Sequence, residues 1–362
     1  TPTLSSSSSS SSSLPAIITL SGNITYDFVP HAEEQDGLDY TATVARPGRG
    51  LLVELLDANN QVLTSTISSQ TGAYSLNATR DKLVRVRVKA QLLSESDNSA
   101  QWDFKVTDNT SNNSVYAMAG SLLAANEATA VRDLHASSGW NSNAYSQPRV
   151  AAPFAIIDSI FTGVERLLAV DDALQFPTLE LRWSQNNNTA DGDLALGEIA
   201  TSFYRNDLSA IYLLGGEDDD TDEYDRHVVL HEWGHYLEAE LSRSDSIGGD
   251  HSGDDKLDFR VAMSEGFANA FSAMMLEDPI YRDASGTRQD DGFQIAVNCT
   301  NNRVRGWYSE ASVQSVLYNF YVSENNKVAR DFSDIFTVIT DDTYARSDAF
   351  VSIYLFAEKL RE

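Results

Sequence analysis

Cysteine, basic residues and long apolar runs are all scarce in this chain of 362 residues. Its one cysteine, Cys299, excludes an internal disulfide, so stability must come from hydrophobic cores and bound metal. Only 26 lysines and arginines accompany 53 acidic residues, which gives a net charge of -27. Nucleic acid and anionic membrane surfaces would repel such a chain, and we do not expect them as partners. No apolar run is long enough to span a membrane.

Histidine is also rare, but its distribution is uneven. Four of the 6 histidines lie between His227 and His251, and two of these belong to an H-E-x-x-H motif at 231–235. On a helix, residues four apart lie on the same face, so both imidazoles can bind one metal ion. Glu232, beside the first histidine, can reach a water on that metal. Two nitrogen ligands, an open position and a carboxylate base are what a zinc hydrolase needs.

The motif lies in a predicted helix. Asp220 and Glu223 have the spacing of a capping box at its start. Gly234 would destabilise an ordinary helix by about 1 kcal/mol relative to alanine, which indicates close approach by another element or by substrate. His227, one turn before His231, is predicted either to support a ligand histidine or to lie on the helix surface. The alternative to a metal site is a structural helix with stacked histidines.

A catalytic zinc site needs a third protein ligand, and Glu265 is the best candidate. It lies in a second predicted helix, from about Asp258 to Met275, that is otherwise apolar and rich in small residues. A buried glutamate is costly unless it is paired or binds metal. The alternative is a glutamate on a solvated face. Asn269, one turn further on, could accept a hydrogen bond from a ligand histidine and so fix its tautomer.

This combination resembles the gluzincin metallopeptidases, the clan of thermolysin and fungalysin. The resemblance rests on H-E-x-x-H and on a downstream helix with a glutamate in an S-E-G-x-x-N setting. It implies zinc binding by His231, His235 and Glu265. It also implies that Glu232 is the general base.

The clan further supplies a residue that stabilises the oxyanion of the tetrahedral intermediate. Fungalysin-like enzymes use a histidine ahead of a V-x-x-x-L-aromatic helix; Val313–Tyr318 is similar, and Tyr308 stands at the histidine's position. A tyrosine hydroxyl is a neutral donor at pH 7, although packing is the alternative role for Tyr308. His251 competes for the role, from a Gly/Ser/Asp-rich loop that could fold over the metal. The chain departs from the clan at Asn269, where an aspartate is usual, which keeps the acceptor but loses the charge.

Three strands are predicted ahead of the motif helix, at 178–183, 197–204 and 210–215, and a long apolar-faced helix precedes them at 150–170. In the clan, one such strand lies at a sheet edge and binds extended peptide through its main chain. This favours a peptide or protein substrate over a small amide.

The predicted fold class is multi-domain: an all-β sandwich, then an α+β zincin-like catalytic domain with a helical C-terminal lobe. The sandwich includes a hairpin at 51–67, and its pattern resembles the transthyretin-like module found beside carboxypeptidases. The C-terminal lobe includes helices predicted at 309–322 and 347–361. The boundaries are a Ser-rich linker at 1–14, the β-sandwich at 15–118, a connecting segment at 119–148, the catalytic domain at 149–276 and the helical lobe at 277–362.

Two further features concern location and a second cofactor. The serine run Ser5–Ser13 is typical of a flexible linker, and such tracts often follow the lipidated cysteine of bacterial lipoproteins. We therefore expect a secreted, periplasmic or cell-surface protein, which could be a lipoprotein with a lipid anchor upstream.

The acidic run Glu217–Asp220 with Asp222 could bind calcium, although charge runs are usually only solvated.

The sequence thus predicts a secreted zinc metallopeptidase with an accessory β-sandwich. Two alternatives stay open: a surface binding or adhesion protein with a structural or degenerate zinc site, and zinc-dependent hydrolysis of a bond other than a peptide bond. Glu232 argues for catalysis, because a purely structural site has no use for a base beside a ligand. The oligomeric state is not predicted.

Overall fold

The structure is a computed structural model that describes residues 16–33, 36–95, 99–322 and 332–361. These residues form a mixed α/β protein. Its strands are β1 (Ile17–Phe28), β2 (Val44–Pro47), β3 (Leu51–Asp57), β4 (Val62–Ile67), β5 (Ala73–Thr79), β6 (Leu83–Ser94), β7 (Trp102–Asp108), β8 (Ser114–Val115), β9 (Ala117–Ala119), β10 (Leu123–Ala124), β11 (Leu134–Ala136), β12 (Leu179–Trp183), β13 (Phe203–Arg205), β14 (Ala210–Leu213), β15 (Ile280–Ser285) and β16 (Asp291–Ala296). Its helices are α1 (Ala152–Leu168), α2 (Arg226–Leu241), α3 (Phe259–Leu276), α4 (Glu310–Tyr321), α5 (Phe332–Thr340), α6 (Asp342–Ala345) and α7 (Ile353–Lys359).

Two predictions from the sequence concern the predicted linker and the absence of a membrane-spanning segment. The linker predicted at 1–14 lies outside the described residues. Among the helices described, none combines the length and the apolar character needed to cross a bilayer.

Alternating side chains explain why the β6 segment forms a half-buried strand. Val84, Val86 and Val88 are buried, whereas Arg85 and Arg87 between them are partly exposed. Successive side chains of a strand point to opposite faces, so this alternation puts one face into the core. β3 lies between β4 and β6 and is buried along nearly all of its length, as expected for a central strand.

The largest sheet crosses the boundaries predicted from the sequence. Its strand order is β13-β14-β12-β7-β6-β3-β4, and β12 pairs in parallel with both β7 and β14. A second sheet contains β11, β1 and β2, with β5 also paired to β1. Strands from the predicted sandwich and from the predicted catalytic domain therefore share one sheet and one hydrophobic core. That residues 15–118 form a separate domain stays a prediction.

Aromatic packing against the sheet sets the orientation of α2. Trp233 and Tyr236 lie edge-on to Phe104 of β7, with ring centroids 6.2 Å and 6.0 Å away. Trp233 also packs against Gly163 of α1, where an added Cβ would lie 2.2 Å from the indole ring. With this face fixed against the core, the opposite face of α2 is directed towards α3.

Small residues allow three helices to pack closely around that face. A Cβ on Gly234 of α2 would lie 3.2 Å from the Cα of Ala268 in α3. A Cβ on Gly266 would lie 2.6 Å from the Cβ of Val313 in α4. Gly234 therefore accommodates another element, which is one of the two roles predicted for it.

The start of α2 differs from the prediction. The helix begins at Arg226, and its N-cap, Asp225, makes no side-chain capping hydrogen bond. The predicted capping box was wrong, because Asp220 lies in the preceding loop and Glu223 forms an ion pair with the buried Arg149. A tertiary ion pair has thus replaced a local cap.

The strand predicted at 197–204 forms only at its end, as β13. Gly197 and Ala200 have φ of 87° and 64°, and these left-handed conformations interrupt an extended backbone. β13 is an end strand of the largest sheet in the described part of the chain.

The prediction that the segment 277–362 is helical was wrong for its first part. The segment begins with the antiparallel hairpin β15–β16, in which Tyr281 pairs with Ile295, and continues with α4 to α7. The helix predicted at 347–361 is shorter, because Ser352 caps α7 by accepting a hydrogen bond from the Leu355 N–H.

Candidate metal centre

His231 and His235 of α2 converge with Glu265 of α3. The two Nε2 atoms lie 3.1 Å apart, and each lies 3.2 Å from Oε2 of Glu265. Zinc ligands at about 2.0–2.2 Å in a tetrahedral arrangement would lie about 3.3–3.6 Å from one another. The nitrogen and carboxylate donors therefore fit zinc in both chemistry and spacing. We call these three residues the ligand group.

Buried charges shift the protonation of two members of the ligand group, and only the shift at Glu265 favours metal binding, because a ligand histidine must lose its proton before it binds zinc. Burial disfavours the Glu265 carboxylate, but the two histidines outweigh it and hold the pKa of Glu265 below its usual range. Burial likewise opposes the charge of His235, whereas Glu265 and Glu238 raise the pKa of His235 well above its ordinary value. Glu265 is therefore ionised, as a zinc ligand must be.

Asn269 orients the first histidine. His231 Nδ1 and Asn269 Oδ1 are 2.8 Å apart, so the imidazole donates from Nδ1 and keeps Nε2 free to face the metal position. Asn269 Nδ2 donates in turn to Oε1 of Gln314, at 2.9 Å, which sets the orientation of the amide. Gln314 is only 2% exposed and was not identified from the sequence.

A different pair of residues contacts the second histidine. Ser264 Oγ lies 3.2 Å from His235 Nδ1, and Ser264 also donates to Glu238 at 2.5 Å. Sequence reasoning missed both residues. Glu238 carried a usable signal, because it lies three positions after His235 and hence on the same helix face.

Glu232 lies beside the ligand group without joining it. Its Oε1 is 4.0 Å from His231 Nε2, and its side chain is buried. A carboxylate in this position can reach a water near the metal while leaving a coordination position open.

Of the two candidate oxyanion donors, the structure brings His251 to the ligand group. His251 Nε2 lies 3.4 Å from Glu265 Oε2. Its Nδ1 lies 2.7 Å from the buried Glu310, whose hydrogen bond raises the pKa of His251. The ring contacts of Tyr308 are instead with Lys256 and Trp307.

The contact between Glu310 and His251 could not be predicted from the sequence, for a physical reason. Glu310 lies in the first turn of α4, where acidic residues are common because their negative charge interacts favourably with the helix dipole. Its role depends on the loop between α2 and α3, which places His251 against it.

His227 does not lie on the helix surface, and its support of a ligand histidine stays a prediction. It is buried, with Nδ1 3.3 Å from Ser272 Oγ, and burial lowers its pKa. Its ring lies 5.4 Å from that of Tyr281, which in turn lies 6.0 Å from the His231 ring. Tyr281, which the sequence did not single out, therefore places the β15–β16 hairpin beside the ligand histidines.

One family model matches the part of the chain that contains this site. A family model for the mycolysin C-terminal domain matches residues 172–355, just over half of the chain. The chain belongs to the mycolysin C-terminal domain family. This domain is associated with zinc metallopeptidases of the gluzincin type. The mycolysin match includes α2, α3 and α4, and hence the whole ligand group with His251 and Glu310.

Other comparisons add little. No curated protein matches the chain. One similar solved structure is that of the major plantain pollen allergen Pla l 1, with 12% identity over 33% of this chain and 90% of that chain. Its TM-score of 0.19 is too low for the likeness to support an argument about fold or function.

The mycolysin match also includes a second group of carboxylates. Asp220, Asp222 and Asp283 place one carboxylate oxygen each within 4.8 Å of the others. Glu217 and Asp218 of the predicted calcium run do not join them, because they accept main-chain hydrogen bonds from Tyr145 and Arg288. We call the three aspartates the aspartate group. Calcium binding by Asp220 and Asp222 stays a prediction.

Proposed function

We propose that the protein is a secreted zinc metallopeptidase that hydrolyses peptide bonds. The observation that supports this most strongly is the ligand group, in which two imidazole nitrogens and one carboxylate oxygen lie 3.1–3.2 Å apart. Membership of a family associated with zinc metallopeptidases supports it further. Mycolysin-like proteins are typically secreted, which supports the proposed location; a lipid anchor stays a prediction.

The general base follows from the position of Glu232. Zinc bound by the ligand group would polarise the scissile carbonyl and make a nearby water more acidic. Glu232 accepts the proton of the attacking water and then donates it to the leaving amine. It can do so because its carboxylate lies near His231 Nε2 but outside the ligand group.

His251 donates to the oxyanion in this proposal. The hydrogen bond from Nδ1 to Glu310 favours the protonated ring, in which Nε2 is also a donor. Such a donor acts mainly in the transition state, where charge develops on the carbonyl oxygen. Glu310 positions the ring and does not itself touch substrate.

Peptide recognition is assigned to β13. This strand lies at an end of the largest sheet, and Tyr204 ties it to α2 through a hydrogen bond to Glu240. A sheet edge can bind extended peptide through main-chain hydrogen bonds. This arrangement supports a peptide substrate over a small amide.

The test measures zinc and hydrolysis in the same preparation. We expect one zinc per chain and cleavage of an unfolded protein such as casein. Glu232→Gln should keep zinc and the fold while lowering turnover by about 10²–10⁴-fold, the contribution of a general base. Glu127→Gln, an exposed carboxylate in the N-terminal half of the chain, is the matched control.

Two results would contradict the proposal in different ways. Zinc-bound wild-type protein without hydrolysis would favour a binding protein with a structural site. Hydrolysis that survives Glu232→Gln unchanged would remove Glu232 from the mechanism.

A further inference from the structure

A separate cavity of about 630 Å³ lies where loops of the N-terminal β region meet the turn between β15 and β16. Tyr40 and Trp140 line it from the first side, and Arg288 and Asp290 line it from the second. None of its lining residues belongs to the ligand group or contacts it as a hydrogen-bond partner. The cavity is therefore a candidate site distinct from the proposed catalytic centre.

A rigid aromatic pair forms part of the wall. The rings of Tyr40 and Trp140 are stacked, with centroids 3.7 Å apart and an interplanar angle of 14°. Tyr145 lies edge-on to Trp140 at 5.1 Å, and its hydroxyl lies 2.6 Å from the Tyr40 hydroxyl. These contacts hold the pair in place before any ligand binds, which lowers the entropy lost on binding.

Polar groups beside the pair have hydrogen-bonding capacity to spare. The Asn141 amide, the Ser142 hydroxyl and the Trp140 indole N–H make no side-chain hydrogen bond to any residue that the structure describes. Ser142 also has a φ of 61°, which is uncommon for a residue other than glycine. The loop is anchored behind these groups, because the Ser138 N–H donates to Asp27 at 2.9 Å.

We propose that this cavity binds a neutral carbohydrate. A sugar ring presents an apolar C–H face, which suits an aromatic ring, and a rim of hydroxyls, which suits short polar side chains. Carboxylates from Asp27, Asp39 and Asp290 outnumber the one arginine in the lining. The net charge of -27 also disfavours an anionic polysaccharide. This site does not depend on the proposed peptidase activity.

The experiment titrates the purified full chain with the neutral trisaccharides triacetylchitotriose, maltotriose and cellotriose and follows binding by calorimetry. The titrations extend to about 10 mM, above the millimolar dissociation constants expected for weak sugar sites. We expect saturable binding of at least one trisaccharide. Trp140→Ala should weaken it by at least about 10-fold, because it removes one ring of the aromatic pair, whereas Trp140→Phe should restore most of the affinity.

Controls separate a binding defect from a folding defect. Trp307→Ala changes a half-exposed tryptophan outside the cavity and should leave sugar affinity unchanged. Trp140→Ala should keep the zinc content of the wild type and a cooperative unfolding transition, at a lower temperature because the ring contacts with Tyr40 and Tyr145 are lost. Failure of all three sugars to saturate, or equal binding by Trp140→Ala, overturns the proposal. So does binding of trilysine in place of the sugars, because the site would then be one for cationic peptides.

Discussion

The ligand group and the aspartate group are similarly compact, but the side chains around their carboxylates differ in charge. Histidines surround the carboxylate of the ligand group, whereas other carboxylates surround each aspartate. In each group, the potential metal-binding atoms lie within 4.8 Å of one another. Glu265 has two histidines beside it, and its pKa is held low. The three aspartates form no ion pair with any side chain in the described residues. Burial raises the pKa of each, and repulsion by neighbouring carboxylates, including that of Asp225, raises it further.

This difference separates a site whose charge is balanced within the chain from one that needs a proton or a cation. Burial, with Asp225 and Asp219 next in effect, raises the pKa of Asp220 to about 7. Burial also raises the pKa of Asp222 well above its ordinary value, although Ser202 donates a hydrogen bond to this carboxylate. The same burial thus has opposite consequences, depending on the sign of the neighbouring charges.

Removal of a ligand charge should have the largest effect. Glu265→Gln is expected to lower zinc affinity by more than about 100-fold, beyond the loss typical of a residue that only supports a ligand, and to abolish hydrolysis. Asp222→Asn, the matched change in the aspartate group, should leave zinc affinity unchanged. Competition with a chelator measures both. Zinc loss in Asp222→Asn would show that the two groups are not independent.

Loss of the proposed oxyanion donor should have the next largest effect. His251→Ala is expected to lower turnover by about 10²–10³-fold with little change in KM, because the hydrogen bond strengthens in the transition state. Glu310→Gln should give a smaller loss of the same kind, and Tyr308→Phe should be silent. Steady-state kinetics on one fluorogenic peptide compare the three. A rate loss in Tyr308→Phe alone would restore the fungalysin-like assignment.

Truncation of Asn269 should affect metal binding more weakly. Asn269→Ala removes the acceptor for His231 Nδ1 and is expected to lower zinc affinity by about 10–100-fold. Asn59→Ala, in an exposed turn, is the control. Unchanged zinc affinity in Asn269→Ala would mean that helix packing alone orients the histidine.

The smallest expected effect concerns pH and the aspartate group. A folded-state pKa of about 7 for Asp220 means that the folded protein retains a proton that the unfolded chain loses near pH 4. The free energy of unfolding should therefore fall as pH rises from about 4 to about 7. Asp220→Asn removes this penalty and should raise the unfolding temperature at pH 8 by about 1–2 °C for each kcal/mol regained, because the unfolding entropy grows with chain length.

Thermal unfolding in metal-free buffer at pH 5 and pH 8 measures this effect. The gain should appear at pH 8 and be much smaller at pH 5. An equal gain at both pH values would show that the carboxylate charge is not the cause. Calcium that stabilises the wild type but not Asp220→Asn would support the predicted calcium site.

Local spacing accounts for the part of the metal centre that could be predicted. His231 and His235 share a face because any α-helix brings residues four apart together. The apolar surroundings of Glu265 implied a paired or metal-bound carboxylate, since burial of a lone charge is unfavourable. Both arguments need only the residues within one or two turns.

Contacts between distant segments were harder to predict. Glu310 resembled an ordinary first-turn acidic residue until the loop between α2 and α3 placed His251 against it. Tyr308 and His251 could not be separated by sequence, because only the fold decides which one faces Glu265. The hairpin β15–β16 was missed for a similar reason, since its strands depend on each other and not on a strong local pattern.

By itself, the sequence determined the helices of the ligand group, the strand-rich N-terminal half and the excess of negative charge. The tertiary structure alone decided that strands from both predicted domains share one sheet, that Asp283 joins Asp220 and Asp222, and that His251 reaches the ligand group. The physical reason is the range of the interactions. Helical periodicity and strand alternation act within one element, whereas ion pairs, shared sheets and converging carboxylates require distant elements to pack together first.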